Sequence, residues 1–148
     1  MSRASYVLFP IGERQFALPS EVVAEFIRPS RLHVFPHTTA LLQGVLVRRG
    51  RLVPVLDVSP LLAGTPLAAS RFYLVVRRAI AGTEEWTAFP VSGECQLVSA
   101  EEQACGASSP RYVTGSLSLT RQPGAGKEGV AVVDLQALLN AGRAEARA

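Results

Sequence analysis

The sequence predicts a mainly β protein made of two small antiparallel β units, each with a hairpin followed by a short helix. Three observations support this fold class. Apolar residues alternate with period two in several short segments, a tight turn divides residues 44–58, and residues 115–139 repeat that outline. The chain has 148 residues, and domains typically contain about 100–200 residues. We therefore expect residues 1–148 to form a single domain, with about residues 143–148 as a C-terminal tail.

The clearest hairpin signal lies in residues 44–58. Apolar, β-branched segments flank Arg49-Gly50, and glycine suits such a turn because it accepts positive φ without a steric penalty. Pro54 has no N–H to donate, so its strand is predicted to lie at a sheet edge or to carry a bulge.

A short helix is predicted directly after this hairpin. Asp57 and Ser59 are candidate caps for its N-terminus. Pro60 suits its first turn, and Gly64 suits its end. Because capping explains a carboxylate at this position, the interpretation of Asp57 is structural rather than catalytic.

The remaining elements are predicted from apolar alternation and from turn-forming residues. Further strands are expected over residues 6–11, 15–18, 22–28, 71–80 and 86–91. A helical turn is expected over residues 38–43, and a second one at Ser99 to Glu102, whose pairing is typical of a capping box. Residues 81–85 are predicted to form the turn between the last two strands.

The last third of the chain repeats the hairpin-plus-helix pattern. The segment that begins at Gly115 is similar to the one that begins at Gly44. Asp134 precedes two consecutive leucines with the same spacing as Asp57 does. Small antiparallel sheets bury their edges by closing into barrels, so we expect two similar β subdomains packed against each other. Gly115 and Asp134 are then structural counterparts of Gly44 and Asp57.

Composition favours a protein with a full apolar core in a reducing compartment. Hydrophobic residues make up 48% of the chain. No apolar run reaches the roughly 18 residues that a membrane helix needs, and the N-terminal segment lacks the features of a signal peptide. Two cysteines are too few for a disulfide framework. We therefore expect a cytoplasmic protein without direct membrane insertion.

The charge distribution argues against nucleic-acid binding. The net charge is only +3, and Lys127 is the single lysine among 15 basic residues. Tight basic groups occur only at Arg77-Arg78 and around Arg49, which is not the basic stripe expected of a nucleic-acid binder.

The residues that could form a metal site or a phosphate-binding loop lack the spacing of the known motifs. His33 and His37 have proline between them, which would break a shared helix face. With Cys95 and Cys105 they form no zinc motif. Gly124–Lys127 is similar to a phosphate loop, but a glutamate stands where a Ser or Thr must hold the metal. We therefore expect no enzyme activity, no metal and no cofactor, and interpret the chain as a binding protein.

The hairpin carries a long pattern with fixed spacing, G-V-(I/T)-N-L-R-G-x-(V/I)-(V/L)-P-(V/I)-(I/V)-D-L. The residues that match it by type are Gly44, Val45, Arg49, Gly50, Pro54, Val55 and Asp57. Through this pattern the chain resembles the CheW-like domain family of chemotaxis adaptors. Val47 and Arg48 depart from the family's Asn and Leu. Weaker similarity covers about residues 6–139, including Val23-Ala24-Glu25.

The resemblance implies a fold and a role. CheW-like domains consist of two five-stranded, SH3-like β-barrels with short helices. They perform no reaction and contain no cofactor. They join the CheA-type histidine kinase of a two-component system to the cytoplasmic tips of methyl-accepting chemoreceptors. One barrel docks on the kinase's own CheW-like regulatory domain, and the receptor tip lies between the barrels.

The resemblance also implies a protein-binding site. Arg49 corresponds to the arginine that faces the receptor, with Val23 and Glu25 nearby. Arg48 completes the candidate set, although strand alternation predicts that its side chain points to the opposite face from Arg49. Two alternatives remain open: Arg49 as a solvated turn residue, and Val23 as a core residue. Gly50 and Pro54 are interpreted as structural.

Two further functions stay open beside the adaptor. Departures at Val47, Arg48 and Ser92 favour a divergent CheW-like module that serves as a structural or oligomerisation partner outside a kinase–receptor array. An enzyme or metal protein is the third alternative. The sequence names no particular receptor, kinase or stimulus.

Overall fold

A computed structural model describes residues 3–28, 32–33, 41–67, 72–104, 111–120 and 127–146. Within these ranges the chain forms eleven strands and two α-helices. The strands are β1 (Ala4–Ile11), β2 (Arg14–Pro19), β3 (Val23–Ile27), β4 (Leu42–Arg48), β5 (Arg51–Leu56), β6 (Phe72–Ile80), β7 (Thr83–Val91), β8 (Gln96–Ala100), β9 (Glu102–Ala104), β10 (Val113–Thr120) and β11 (Lys127–Val133). The helices are α1 (Ser59–Ala63) and α2 (Leu135–Ala146), and a 3-10 turn spans Ser20–Val22. The prediction of a mainly β fold is confirmed.

The first barrel is a six-stranded sheet with the order β8-β1-β2-β11-β10-β9. Its two outermost strands, β8 and β9, are consecutive in the chain and flank the single residue Glu101. The chain itself therefore joins the two edges of the sheet and closes it. Six strands replace the predicted five because a break at Glu101 divides one strand into two.

The second barrel is a five-stranded sheet with the order β3-β6-β7-β5-β4. His33, which follows β3 in the chain, forms a bridge with Val45 of β4. Both backbone N–H···O distances of this bridge are 2.9 Å. His33 thus pairs with the opposite edge strand and closes the sheet.

The predicted internal repeat is present in the strand pairing. The hairpins β4–β5 and β10–β11 each carry an irregularity at a glycine, Gly44 in one and Gly115 in the other. Each hairpin's second strand makes a parallel pairing, β5 with β7 and β11 with β2. At corresponding positions, the Asp57 N–H donates to Leu41 O and the Asp134 N–H donates to Tyr112 O, both at 2.7 Å.

Close backbone contact explains both glycines. A Cβ on Gly44 would lie 2.6 Å from the carbonyl oxygen of His33. A Cβ on Gly115 would lie 2.6 Å from the carbonyl oxygen of Gln103. In both barrels the backbone that completes closure therefore passes where a side chain would stand.

Apolar side chains form three buried clusters. Seven residues fill the first barrel: Tyr6, Leu8, Ala17, Ala100, Leu117, Val130 and Val132. Seven fill the second: Ile27, Leu46, Val53, Val55, Tyr73, Val75 and Ala88. The third cluster draws on both sheets and α2: Phe9, Ile11, Phe16, Leu18, Leu56, Val58, Leu74, Val76, Phe89, Val91, Val133, Leu135, Leu138 and Leu139. Strand alternation places neighbours such as Leu8 and Phe9 in different clusters, which packs the barrels together.

The structure corrects several predicted boundaries. The turn between β6 and β7 is two residues, Ala81 and Gly82, both at positive φ, so β7 begins at Thr83 rather than residue 86. Ser99 and Ala100 belong to β8 and Glu102 begins β9, so these residues pair within the first barrel and form no capping box. The predicted helical turn over 38–43 gives way to β4 from Leu42, and residues 38–40 lie outside the described ranges. Helix α2 extends through Ala146, beyond the expected start of the tail.

The two aspartates differ in how they stabilise their helices. Asp134 caps α2, because its Oδ1 accepts a hydrogen bond of 3.2 Å from the Ala137 N–H. Helix α1 has Val58 at its N-cap and no side-chain cap. The Asp57 carboxylate accepts hydrogen bonds from Ser59 N–H and Oγ and from Leu67 N–H instead. It therefore ties the segments on both sides of α1 together.

Candidate functional site

The tip of the β4–β5 hairpin is a two-residue turn formed by Arg49 and Gly50. Their φ angles are 53° and 75°, and positive φ at both central residues defines the type I′ turn that matches the twist of a hairpin. Arg48 and Arg51 pair across the strands directly beside the turn. The predicted hairpin and its turn are confirmed, and three arginines surround one glycine.

Glu25 on β3 binds two of these arginines. Arg49 Nε donates a hydrogen bond of 2.8 Å to Glu25 Oε1. Arg48 Nε donates one of 3.1 Å to Glu25 Oε2, and Arg48 Nη2 donates a longer one of 3.4 Å to Oε1. Because β3 and β4 are the edge strands of the five-stranded sheet, these ion pairs link its two edges.

The hydrogen bond from Arg48 is the main reason that the pKa of Glu25 lies below its ordinary value. Partial burial opposes this shift, and the hydrogen bond from Arg49 adds to it. Glu25 is therefore a carboxylate at neutral pH, and its negative charge holds both guanidinium groups.

Exposure differs across the three side chains. The Glu25 side chain is 12% exposed, that of Arg48 37%, and that of Arg49 72%. Among the described residues, Arg49 has its hydrogen bond only through Nε, to Glu25. Its terminal nitrogens therefore face solvent and can donate to a carboxylate or carbonyl of a partner.

The prediction that Arg48 and Arg49 point to opposite faces is wrong. Both side chains bind the same carboxylate of Glu25. Alternation holds along an extended strand, but Arg49 has left β4 and has a positive φ, so its side chain turns back toward the side of Arg48.

Val23 lies on the same strand as Glu25 but in a different environment. It pairs with Val76, is half-buried, and packs against the cluster between the barrels. An irregularity in the ladder between Val23 and Glu25 interrupts strict alternation on β3. The structure thus places Glu25 at the hairpin tip and Val23 against the core.

Other residues near the hairpin tip were not among the binding residues predicted from the sequence. The Arg51 guanidinium carbon lies 4.6 Å from the ring centre of Trp86 on β7, and Trp86 Nε1 donates a hydrogen bond of 2.6 Å to Glu84 Oε1. Val47 and Leu52 are 54% and 72% exposed. The alternation of buried and outward residues along the hairpin could have located this exposed apolar pair from the sequence.

The histidines and cysteines considered for a metal site do not form one in the described part of the chain. No group of three or more His, Cys, Asp or Glu residues there could hold a metal ion. Burial raises the pKa of the Cys95 thiol to about 12. His37 and Cys105 lie outside the described residues. The helices that the structure describes include none long and apolar enough to cross a membrane.

Comparison with known proteins connects this geometry to a family. Residues 5–143 match the family of CheW-like domains. The chain belongs to the CheW-like domain family. Its CheW-like fold is similar to the crystal structure of the scaffolding protein TtCheW from Thermoanaerobacter tengcongensis, with a TM-score of 0.70 and 16% identity over 91% of this chain and 86% of that one.

A curated relative is similar over a shorter stretch of this CheW-like chain. Protein FrzA of Myxococcus xanthus is 36% identical over 53 residues. The match covers 36% of this chain and 33% of FrzA, so it spans about a third of that relative. The resemblance predicted from the hairpin motif is confirmed by the family match.

Proposed function

We propose that this CheW-like chain is a non-catalytic chemosensory adaptor that couples a CheA-type histidine kinase to the cytoplasmic tips of chemoreceptors. Family membership over residues 5–143 supports the adaptor class. The proposed binding site is the tip of the β4–β5 hairpin. The observation that supports it is the hydrogen bond by which Glu25 orients the exposed Arg49 side chain.

The physical properties of Arg49 suit recognition. Its Nε is bound to Glu25, which limits the rotamers of a long side chain and reduces the entropy lost on binding. Its terminal nitrogens remain in solvent, where they can form charge-assisted hydrogen bonds with a partner. A pre-oriented guanidinium of this kind fixes the register of a docked helix through its free donors.

The rest of the proposal concerns the two barrels. The kinase's CheW-like regulatory domain is proposed to dock on one barrel, and the receptor tip near the hairpin tip of the second barrel. Val23 and Glu25 lie on the strand beside this tip, and Arg48 shares the Glu25 carboxylate. Arg48 therefore belongs to the proposed site as a residue that positions Glu25.

A reconstitution experiment tests this proposal. The purified chain is mixed with the CheA-type kinase and a soluble receptor tip fragment from the same organism, and kinase autophosphorylation is measured. We expect receptor-dependent stimulation that requires the chain. A chain that binds neither kinase nor receptor fragment would contradict the adaptor role and favour a structural or oligomerisation module.

A further inference from the structure

Glu25 divides its two carboxylate oxygens unequally between two arginines. Its Oε2 accepts the 3.1 Å hydrogen bond from Arg48 Nε. Its Oε1 accepts the 2.8 Å bond from Arg49 Nε and the longer bond of 3.4 Å from Arg48 Nη2. Arg48 therefore reaches both oxygens through two nitrogens, which is the forked geometry that arginine forms with a carboxylate. Arg49 reaches only one of them.

The two arginines also differ in how firmly the fold holds them. Arg48 is the last residue of β4, pairs with Arg51 across the hairpin, and has a side chain that is 37% exposed. Arg49 lies on the turn itself, and its side chain is 72% exposed. Arg48 is thus fixed on a paired strand, whereas Arg49 has room to turn toward a docking protein. Of the two cations that bind Glu25, Arg49 is the one that a partner can draw away.

Glu25 needs a cation even when Arg49 is engaged elsewhere. Its side chain is only 12% exposed, and a carboxylate with so little access to water is costly unless it is paired or hydrogen-bonded. If Arg49 were its single partner, every contact that draws Arg49 away would leave Glu25 unpaired. The two bonds from Arg48 avoid this cost, because they do not depend on the position of Arg49.

We propose that Arg48 is a positioning residue that keeps Glu25 paired while Arg49 exchanges the Glu25 carboxylate for an acceptor on the docking partner. The inference rests on the proposed function and gives the two arginines different tasks. Arg49 touches the partner, and Arg48 acts through Glu25. The CheW-like motif has Leu at the position of Arg48, and leucine has no donor for a carboxylate. The second counter-ion is therefore a property of this chain and not of the motif.

A double-mutant cycle with a soluble receptor tip fragment tests the exchange. Arg48→Leu is made in the full parent chain and in the Glu25→Gln chain, and the Kd of the fragment is measured for all four proteins. In the parent we expect Arg48→Leu to weaken binding at least about fivefold, because drawing Arg49 away then leaves Glu25 unpaired. In Glu25→Gln the same change should alter the Kd by less than about twofold, because no carboxylate remains to be paired.

Two further variants test whether the charge at position 48 is what matters. Arg48→Lys keeps a cation beside Glu25 and should hold the Kd within about threefold of the parent. Arg51→Leu is the matched control, because it removes a cation from the same hairpin tip but one whose guanidinium lies 4.6 Å from the Trp86 ring centre. Its effect on the Kd should be the same with Glu and with Gln at position 25.

Two results of this cycle would overturn the proposal. An equal loss of affinity from Arg48→Leu in both backgrounds would show that Arg48 contacts the partner directly. No loss in either background would show that Glu25 needs no second cation when Arg49 binds.

A measurement without any partner tests the same assignment. NMR titration of the Glu25 side-chain carboxyl carbon gives its pKa in Arg49→Ala and in Arg48→Leu. The hydrogen bond from Arg48 is the largest cause that lowers this pKa, and the one from Arg49 is a smaller cause. We therefore expect the pKa to stay below its ordinary value in Arg49→Ala and to be higher in Arg48→Leu. The reverse order would contradict the role of Arg48.

These outcomes separate the inference from the adaptor role. A parent chain that does not bind the receptor fragment contradicts the adaptor role, and the titration of Glu25 still decides whether Arg48 is its main counter-ion. A parent chain that binds the fragment without coupling between Glu25 and Arg48 loses only the inference about Arg48.

Discussion

Arg49 on the hairpin turn donates a hydrogen bond of 2.8 Å from its Nε to Glu25 Oε1 on β3. The contact joins the two edge strands of the second barrel through a residue that is 72% exposed and one that is 12% exposed. It holds the guanidinium in place at one nitrogen and leaves its other nitrogens to a partner. The same carboxylate binds Arg48, so the two arginines act on one group.

Replacing Arg49 by Ala should weaken the affinity for a partner and leave the stability of the fold nearly unchanged. An exposed ion pair contributes about 0–1 kcal/mol to folding, so the melting temperature should change little. Loss of an arginine that anchors a partner costs about 2 kcal/mol or more, roughly a thirtyfold weaker affinity. Melting curves and titration with receptor and kinase fragments measure the two effects.

Arg48→Ala is no control for that experiment, because Arg48 shares the Glu25 carboxylate. Arg3→Ala is a better one, since Arg3 is exposed in the first barrel and donates a single hydrogen bond to the Ser99 carbonyl oxygen. Equal partner binding by the parent and by Arg49→Ala would remove Arg49 from the site, and a large loss of stability would make it a structural residue.

Stability should depend on pH through Glu25. Its pKa is lowered in the folded protein, so its ion pairs stabilise the fold above the ordinary glutamate pKa of about 4.3. This contribution is lost as the pH falls through the lowered value. Glu25→Gln should therefore be less stable than the parent at pH 7, and the difference should shrink below about pH 4. Denaturant unfolding of both proteins across this range measures it; a difference that grows on acidification would refute the assignment.

Gly115→Ala should destabilise the first barrel. The new Cβ would lie 2.6 Å from the carbonyl oxygen of Gln103, and forcing β9 away from β10 should cost about 1–3 kcal/mol. Gly129→Ala is the matched control on the paired strand, since nothing lies within 4 Å of its Cβ position. Chemical denaturation of both variants gives the comparison. Equal stabilities would show that β9 is free to move.

Arg78 on β6 ties α2 to the second barrel. Its side chain is 3% exposed, and its Nη1 donates to Gln136 Oε1 at 2.9 Å and Asn140 Oδ1 at 3.0 Å. Arg78→Met would remove both charge-assisted hydrogen bonds to α2 and the buried cation beside Glu85, so it should cost about 1.5–3 kcal/mol.

Arg77→Met provides the control for Arg78, because Arg77 is the exposed neighbour on β6 and donates one hydrogen bond of 3.1 Å to Glu21 O. It should cost less than about 1 kcal/mol. Thermal unfolding distinguishes the two variants. Similar small losses in both would mean that apolar contacts alone hold α2.

Local patterns in the sequence determined most of the strands other than β8 and β9, together with the β4–β5 hairpin and the internal repeat. Strand alternation around Leu46 and Val53, and the Arg49-Gly50 turn, depend on neighbouring residues, so each can be derived from a short segment. The capping of α2 by Asp134 is local for the same reason. The motif in this hairpin also pointed to the CheW-like family.

Only the tertiary structure decided which residues from distant segments contact each other. Glu25 lies 24 residues before Arg49 in the chain, and no local rule places the β3 carboxylate against a distant turn. Residues 99–102 carry a helix-start pattern, but Ser99 pairs with β1 and Glu102 with β10, because barrel closure satisfies more backbone groups than one helical turn would. The common direction of Arg48 and Arg49 combines the local positive φ of Arg49 with a shared carboxylate, and that carboxylate reaches the turn only once the barrel has closed.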